Sequence, residues 1–272
     1  MQLYTGLGRT MNLSEEPLAY VSEITAEYGR ASGANYCLLR IPRFTSTGKR
    51  VMPKVVLAGG KVGKASAVLT YAKQQKALCV VNAGLFNASS LYPLGRTVID
   101  GVSVTNTTVT SVDGVTASSA ECYPLCIDAN GDLSAPYNKS VGTSNLIANG
   151  VVHAVTGFGQ LIGNFSVSTS SKFNEVVYAA KNIRQCIGQY ENGDYMICTV
   201  DGMYKKVAPN DAGMIYSTLA SLLQSRGVKF AYVLDGGNST QTVLGRRLVN
   251  PVYEGTEGRP VATVIRFDVV DA

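Results

Sequence analysis

The sequence AYVLDGGNST, residues 231–240, is a short apolar run that ends at Asp235 and continues into two glycines and a polar triplet. An apolar run of this length bounded by Gly-Gly predicts a buried strand, so Asp235 stands where the backbone leaves the strand and turns. Upstream, residues 211–227 (DAGMIYSTLASLLQSRG) combine a capping Asp, apolar residues at helical spacing and a terminal Gly, which predict an amphipathic helix. The predicted order is helix, strand, carboxylate and glycine turn.

The same order occurs once more in the first half of the chain. Residues 62–76 have the apolar spacing of a helix, and residues 78–81 (LCVV) predict a strand. That strand runs into NAGLFN, residues 82–87, in which Asn82 begins a turn of small and polar residues. Two turns that carry polar side chains are therefore predicted, each at the end of a helix–strand unit.

Most of the remaining sequence predicts short antiparallel strands. Asp-Gly and Asn-Gly pairs, a strong local hairpin signal, begin at residues 100, 113, 130, 149, 192 and 201. Further strands are predicted at residues 36–41, 54–57, 151–155, 175–180, 185–187, 195–200 and 260–269, and a surface loop at 166–172. Residues 14–27 fit either a helix or a strand. The expected fold class is α+β, a strand-rich mixed sheet body with two principal helices in a single domain.

Composition narrows the classes of partner. The chain has 272 residues, 46% of them hydrophobic, and its formal net charge of +5 comes from scattered lysines and arginines. Nucleic-acid binding needs a clustered basic surface, so no nucleic-acid partner is expected. The mild charge suits an anionic substrate, although an ordinary basic surface is the simpler explanation. No window is apolar enough to span a membrane, and the N-terminal residues do not have the pattern of a signal peptide.

The scarcity of histidine excludes several kinds of site. His153 is the single histidine, and its alternating surroundings (VVHAV) favour a strand position over a catalytic base. A site with several imidazole ligands is excluded. The six cysteines are expected to be reduced core thiols, and Cys122 with Cys126 is not enough for structural zinc. We therefore expect neither a metal ion nor a cofactor.

Carboxylates, arginines, amides and glycines remain, and these suffice for one kind of glycosyl cleavage. An ordinary glycosidase needs two carboxyl groups because its alcohol leaving group must be protonated. A phosphate leaving group already carries negative charge, so arginines can replace most of that proton donation while one carboxylate acts at the anomeric carbon. In this hypothesis Asp235 supplies the carboxylate, and the glycines after it expose backbone N–H groups.

Several segments, taken in order, resemble motifs of the phosphodiester glycosidase family. NAGLF from Asn82 is similar to the family's N-[AG]-G-x-F element, and DGGNST from Asp235 is similar to D-G-G-G-S-[ST]. Residues 93–101, 157–164, 184–188 and 259–261 resemble the motifs between and after them. Two positions depart from the family pattern, since Gln185-Cys186 replaces Thr-Ala and Asn238 replaces Gly. The resemblance implies a phosphodiester glycosidase domain at residues 55–272, with residues 1–54 as N-terminal strands or an extension of the same domain.

The resemblance also implies a surface cleft that cleaves the glycosidic bond of a sugar 1-phosphodiester, of the N-acetylglucosamine-phosphate type. The implied catalytic residues are Asp235, Arg184, Arg259 and Asn82, and the implied substrate-binding residues are Gly84, Phe86, Gly236, Gly237, Ser239 and Arg96. Asp235 would act at the anomeric carbon, the arginines would hold the phosphate because a guanidinium pairs with its oxygens in bidentate fashion, and Asn82 would orient the sugar. Asn87 and Glu257 lie near these motifs as secondary candidates.

Structural explanations and other functions remain open for these residues. Asp235 and Asn82 could each merely cap a turn, and the two arginines could form surface ion pairs of little consequence. The alternatives to a glycosidase are a non-catalytic glycan-binding or virion-associated host-recognition module, and a phosphodiesterase that cleaves the P–O bond. Without a signal peptide, the expected location is cytoplasmic or phage-particle-associated.

Overall fold

The computed structural model describes residues 2–4, 10–12, 23–109, 111–112, 115–116, 123–136, 141–168, 180–202 and 213–270 of the chain. Its strands, in chain order, are β1 (Gln2–Tyr4), β2 (Thr10–Asn12), β3 (Thr25–Ala31), β4 (Ala34–Ile41), β5 (Arg50–Leu57), β6 (Cys79–Asn82), β7 (Arg96–Ile99), β8 (Val102–Asn106), β9 (Ser111–Val112), β10 (Val115–Thr116), β11 (Pro124–Asp128), β12 (Leu133–Ser134), β13 (Val151–Thr156), β14 (Gly159–Gly163), β15 (Ser166–Val167), β16 (Arg184–Gln189), β17 (Tyr195–Val200), β18 (Phe230–Val233), β19 (Thr242–Leu244), β20 (Arg247–Leu248) and β21 (Thr263–Val270). Its helices are α1 (Val68–Gln74), α2 (Thr143–Ala148) and α3 (Tyr216–Ser225). The strand-rich α+β class is therefore confirmed.

The strands form three large sheets. Sheet A has seven strands in the order β15-β14-β18-β16-β17-β4-β3, sheet B has five in the order β20-β19-β6-β21-β5, and sheet C has five in the order β12-β11-β13-β7-β8. Two further pairs, β1 with β2 and β9 with β10, form separate two-stranded sheets. Every strand pair within the described residues is antiparallel, where the sequence pattern predicted a mixed sheet. Antiparallel neighbours need only tight turns, which the Asp-Gly and Asn-Gly pairs help to supply.

The three large sheets share one hydrophobic core. Leu39 and Ile187 from sheet A, Val81 and Ile265 from sheet B, and Leu125 from sheet C are all fully buried in it. Successive residues of a strand face opposite sides, so each sheet sends alternate side chains inward. Each of these side chains contributes about 1.5–3 kcal/mol relative to an exposed position. A core common to all three sheets makes this part of the chain a single domain.

A helix covers the outer face of each large sheet. Leu219 and Leu223 of α3 are buried against sheet A, where they join Ala231 in a second cluster. Val68 of α1 belongs to a third cluster on sheet B, and Leu146 of α2 to a fourth on sheet C. Each sheet is therefore covered by a helix over part of its outer face as well as packed on its inner face.

Both predicted helices are present, but each is shorter than predicted. α1 begins at Val68 because Gly63, within the predicted helix, has a φ of +77° that breaks helical geometry. α3 begins at Tyr216, and the predicted cap Asp211 lies outside the described residues. α2 was not predicted, since its six residues are too few to establish a helical period.

The hairpin signals have mixed outcomes. Asp100-Gly101 joins β7 to β8 with φ values of +50° and +74°, as a type I′ turn requires, and Asn192-Gly193 joins β16 to β17. Asn130-Gly131 lies between β11 and β12, as predicted. The hairpin at Asn149-Gly150 is wrong, because that pair ends α2. Asp201-Gly202 directly follows β17.

The other predicted strands are also present, with shifted ends. Residues 36–41, 54–57, 151–155, 185–187, 195–200 and 260–269 all fall on strands, although β21 begins only at residue 263. The predicted loop at 166–172 begins with the short strand β15, and residues 25–27 of the undecided segment belong to β3. Residues 14–22, the pair at 113–114 and residues 175–179 of a predicted strand lie outside the described residues.

Candidate active site

The two polar turns predicted from the sequence meet where sheets A and B adjoin. β18 leads into Asp235, whose backbone N–H donates to the Ala83 carbonyl at 2.9 Å in the turn after β6. In return, Nδ2 of Asn82 donates to the Asp235 carbonyl at 2.7 Å. Asn82 is fully buried, and buried polar groups in folded proteins are nearly always paired. The two bonds therefore fix the point at which the Asp235 turn leaves its sheet.

Asn82 and Gln241 connect this junction to three further segments. Oδ1 of Asn82 accepts from the Gln241 N–H at 3.0 Å. The fully buried Gln241 side chain accepts from the Val68 N–H at 3.1 Å and donates to the Arg259 carbonyl at 2.7 Å. α1 and the segment before β21 are thus tied to the same point. Sequence patterns do not single out Gln241, because an isolated Gln after a turn has no distinctive motif.

The two glycines after Asp235 bring the turn against the start of β16. The Gly237 N–H donates to the Ile183 carbonyl at 3.1 Å, and a Cβ on Gly236 would lie 2.9 Å from that oxygen. Gly237 also has a φ of +57°, which side chains disfavour. The Gly236 N–H donates to Oδ1 of Asp235 at 2.9 Å, so the half-buried carboxylate is held against its own turn.

Arg259, Phe86 and Ser239 form one wall beside this turn. The guanidinium carbon of Arg259 lies 5.2 Å from the centre of the Phe86 ring, within cation–π range, and Nη1 lies 3.5 Å from Oγ of Ser239. Ser239 is fully buried in the short 3-10 turn that follows Gly236, whereas Arg259 is half-buried. A partly exposed cation therefore lies beside the Asp235 motif. Gly84, behind Phe86, donates its N–H to the Thr263 hydroxyl at 3.0 Å.

Arg184 and Arg96 begin strands near the junction, and their guanidinium groups have partners in other segments. Arg184 is 3% exposed, its Nε donates to the Met214 carbonyl at 3.1 Å, and its guanidinium carbon lies 4.4 Å from the centre of the Tyr216 ring of α3. It shares that outer face of sheet A with Cys186, two residues along the strand. Nε of Arg96 donates to the Val141 carbonyl at 3.0 Å, just before α2. The Arg184 backbone lies close to the Asp235 turn, since its Cα is 3.9 Å from the position of a Cβ on Gly236.

Asn238, which departs from the family pattern, has a specific partner. Its Nδ2 donates to Oε1 of Glu254 at 2.8 Å, and both residues are half-buried. Glu254 belongs to a loop that encloses the motif, since Nδ2 of Asn250 in the same loop donates to the Thr240 carbonyl at 3.0 Å. Glu257, a secondary candidate, instead binds Thr70 and Lys73 of α1, and its hydrogen bonds to these two side chains lower the pKa of its carboxyl. Glu254 is therefore a second carboxylate at the site that sequence patterns do not reveal.

A buried polar layer beneath the site joins sheets A and B. The hydroxyls of Thr199 and Thr242 lie 2.7 Å apart, and Nε2 of Gln185 donates to the Thr199 hydroxyl at 3.2 Å. All three residues are at most 1% exposed. Gln185, the other departure from the family pattern, therefore adds hydrogen bonds to two buried hydroxyl groups on β17 and β19 that are also paired with each other.

The titratable residues away from the junction have structural roles. His153 is 4% exposed, and burial lowers the pKa of its ring, with Asp100 acting in the opposite direction. Its Nδ1 accepts from the Asp100 N–H at 3.2 Å, as a strand histidine with a satisfied ring would. The five cysteines within the described residues are free and buried, as predicted, and burial raises the pKa of the Cys37 and Cys79 thiols to about 12. Cys122 lies outside the described residues.

Neither a metal-binding cluster nor a membrane-spanning helix is found among the described residues. They contain no group of three or more His, Cys, Asp or Glu side chains that could hold a metal ion. In the same part of the chain, no helix has both the length and the apolar character needed to cross a bilayer.

The order and convergence of these motifs match a known family. The sequence profile described as phosphodiester glycosidase matches residues 75–267, which is more than half of the chain. The chain belongs to the phosphodiester glycosidase family. Within this family member, the NAGLF and DGGNST turns both lie inside the matched region, whereas β3 and β4 precede it.

One curated relative of the chain is derived from a prophage. The chain is 26% identical over 197 residues to the SPbeta prophage-derived uncharacterized protein YomE of Bacillus subtilis strain 168, a match that covers 72% of this chain and 29% of that relative. The chain therefore spans less than a third of the length of this curated relative.

Two solved structures share the fold. The catalytic domain of zebrafish N-acetylglucosamine-1-phosphodiester alpha-N-acetylglucosaminidase, auto-inhibited by its pro-peptide, matches with a TM-score of 0.67 at 18% identity, over 92% of this chain and 83% of that one. A hypothetical protein from Synechocystis matches with a TM-score of 0.66 at 15% identity, over 90% of this chain and 62% of that one. At these identities the likeness concerns the fold alone.

Proposed function

We propose that this phosphodiester glycosidase family member hydrolyses the glycosidic bond of a sugar 1-phosphodiester, with N-acetylglucosamine phosphate as the leading type of substrate. The observation that carries the proposal is the convergence of Asp235 with the Asn82 turn and the Arg259 wall, three segments that are far apart in the sequence. Asp235 acts at the anomeric carbon, as a nucleophile or as the base that activates water. The phosphate departs with its own charge, so no strong general acid is needed.

The contacts support different roles for the proposed residues. Arg259 is the half-buried cation beside the motif, and we assign it to the phosphodiester oxygens, with Phe86 and Ser239 as the adjacent wall. Asn82 and Arg184 are proposed as positioning residues, because both side chains are buried and bonded to backbone carbonyls. Backbone N–H groups of the Gly236–Gly237 turn complete the anion-binding side. Arg96 is proposed only as a remote contributor.

The test is turnover of an N-acetylglucosamine-phosphate-sugar diester, measured as release of free sugar. Asp235→Asn keeps an oxygen to accept the Gly236 N–H, so folding should persist while kcat falls roughly 10²–10⁴-fold. Glu257→Gln is the matched control. It also converts a carboxylate of this region to an amide, but the Glu257 side chain binds Lys73 of α1 and not the Asp235 turn. Arg259→Ala should lower kcat/KM about ten- to a hundredfold through loss of a charge-assisted bond. Full activity of Asp235→Asn, or no turnover across a broad diester panel, would sink the proposal.

Cleavage of the P–O bond predicts a different product in labelled water. If the glycosidic C–O bond breaks, oxygen-18 from the solvent appears in the released sugar. If the P–O bond breaks, the label appears in the phosphate, and the protein is a phosphodiesterase instead.

A non-catalytic glycan-binding module is the second candidate, and the prophage-derived relative favours it. Such a module serves attachment to a host surface and needs no intact nucleophile. Binding of glycan phosphates without release of product, equal in wild type and Asp235→Asn, would favour this function.

A further inference from the structure

A cavity of about 370 Å³ opens at one end of the β3–β4 hairpin. Its polar lining comes from Tyr28 and Arg30 of β3, Asn35 of β4, Asp201 after β17 and Asn250 after β20. None of these residues has a part in the function proposed above. The hairpin also precedes residues 75–267, so the matched family region alone does not form this cavity. A volume near the lower end of the range for ligand sites, roughly 300–1,000 Å³, suits a small group.

The register of sheet A places the cavity at the same end of the strands as Asp235. Val233, at the end of β18, pairs with Cys186 near the start of β16. Arg184 at the start of β16 pairs with Val200 at the end of β17, which in turn pairs with Tyr36 near the start of β4. From β18 to β4 there are three strand spacings of about 4.8 Å, or roughly 14 Å. The bond from Asn250 to the Thr240 carbonyl connects the cavity wall to the Asp235 motif.

The polar groups of the cavity suit hydroxyl groups better than phosphate. Arg30 and Asp201 bring one charge of each sign, so the lining has no excess of positive charge to attract an anion. Asn35 and Asn250 add amide groups, which can both donate and accept. Nη1 of Arg30 donates to Oδ1 of Asn35 at 2.9 Å, which holds the two side chains side by side across the hairpin.

Tyr28 lines the cavity and carries a buried hydroxyl. Its oxygen makes no hydrogen bond of ordinary geometry within the described residues. Cys37 is the cross-strand partner of Tyr28, and a thiol is only a weak hydrogen-bonding group. Burial raises the pKa of this hydroxyl far above its usual value, so it remains uncharged. The Tyr28 ring and Val249 supply apolar lining. A sugar ring carries hydroxyl groups around apolar C–H faces, so a lining of polar groups with an apolar patch suits it.

We propose that this cavity binds an uncharged sugar unit of the glycan that carries the phosphodiester, at a distance from the bond that is cleaved. The claim that the glycan runs from the cavity to Asp235 rests on the proposed function of Asp235. Sugar binding in the cavity does not depend on that function. A substrate that occupies both places is an oligosaccharide diester, since one monosaccharide cannot bridge three strand spacings. The cavity thereby selects for the length of the glycan.

The first test is direct binding of phosphate-free oligosaccharides with N-acetylglucosamine, mannose or glucose units, followed by ligand-observed NMR. At least one should bind wild type, and Arg30→Ala should weaken its Kd about tenfold, as expected for loss of one charge-assisted hydrogen bond. Arg30 is exposed, so this variant should fold. Arg40→Ala, which removes an exposed arginine from the far end of the same hairpin, should bind normally. Inorganic phosphate serves as the competing probe.

The proposal is overturned if no oligosaccharide binds, if Arg30→Ala and Asn35→Ala both bind like wild type, or if inorganic phosphate displaces the sugar from the cavity. A second test compares diesters with short and long glycans. Long diesters should have a lower KM, and Arg30→Ala should raise that KM about tenfold without changing kcat or the KM of short diesters. If no diester is cleaved, the proposed function fails, but the binding test still shows whether the cavity binds a sugar.

Discussion

Asn82→Ala tests whether the buried amide positions the candidate nucleophile. The substitution removes the partners of the Asp235 carbonyl and of the Gln241 N–H, at 2.7 and 3.0 Å. Each of the two buried groups left unpaired costs about 1–3 kcal/mol, so the free energy of unfolding should fall by roughly 2–6 kcal/mol. At roughly 2–4 °C per kcal/mol for a domain of this size, the melting temperature should fall by roughly 4–24 °C. Urea denaturation followed by far-ultraviolet circular dichroism measures the first quantity, and thermal melting measures the second.

Gln189→Ala is the matched control, because it separates lost stability from lost positioning. Gln189 is also a buried amide that bridges two segments, accepting from the Leu133 N–H at 3.1 Å and donating to the Gly193 carbonyl at 3.2 Å. It lies at the opposite end of β16 from Arg184. Both variants should lose stability, but at a temperature where both remain folded only Asn82→Ala should lose sugar release from the diester. Equal activity in the two variants, or an unchanged unfolding free energy for Asn82→Ala, would refute this reasoning.

Two further predictions concern His153 and the Asn238–Glu254 pair. Burial lowers the pKa of His153 below its ordinary 6.5, so the unfolded chain binds a proton more readily and stability should decline as pH falls below about 6.5. His153→Gln should remove this component, seen as a smaller loss of unfolding free energy between about pH 7.5 and about pH 5.5, and an identical pH profile would contradict it. Asn238→Gly restores the usual family residue but releases Glu254, so it should change the KM for different sugar diesters more than it changes kcat. Glu254→Gln keeps a hydrogen-bonding group there and should have a smaller effect on KM, and a uniform loss of kcat in both variants would instead indicate a structural role.

Local patterns predicted the parts of the site that depend on backbone conformation. Asp235 and Asn82 each follow an apolar run that ends in a small-residue turn, and the structure brings both turns together. Gly237 occupies a positive φ, which its place in a glycine pair already suggested. Such features depend on neighbours in the sequence, so a single chain suffices to find them.

The directions of side chains could not be predicted in the same way. β16, RQCIGQ, is buried at every residue, so no alternation of polar and apolar residues indicates which face receives Arg184. The contact of the Arg184 guanidinium with the Tyr216 ring is therefore a feature that no sequence pattern indicates. The partnership of Asn238 with Glu254 depends on how a loop folds back, and no sequence period encodes that.

The position of β21 in sheet B has a consequence for protein synthesis. This strand, the last one described, lies between β6 and β5, its Val264 pairs with Asn82, and its Thr263 hydroxyl accepts from Gly84. A nascent chain that has emerged only as far as Asp235 still lacks the strand that pairs with this side of β6, because synthesis proceeds from the N-terminus. The Asn82 turn is therefore not held on both sides until β21 has been synthesised. Ribosome-bound fragments that end before Thr263 should release no sugar from a diester.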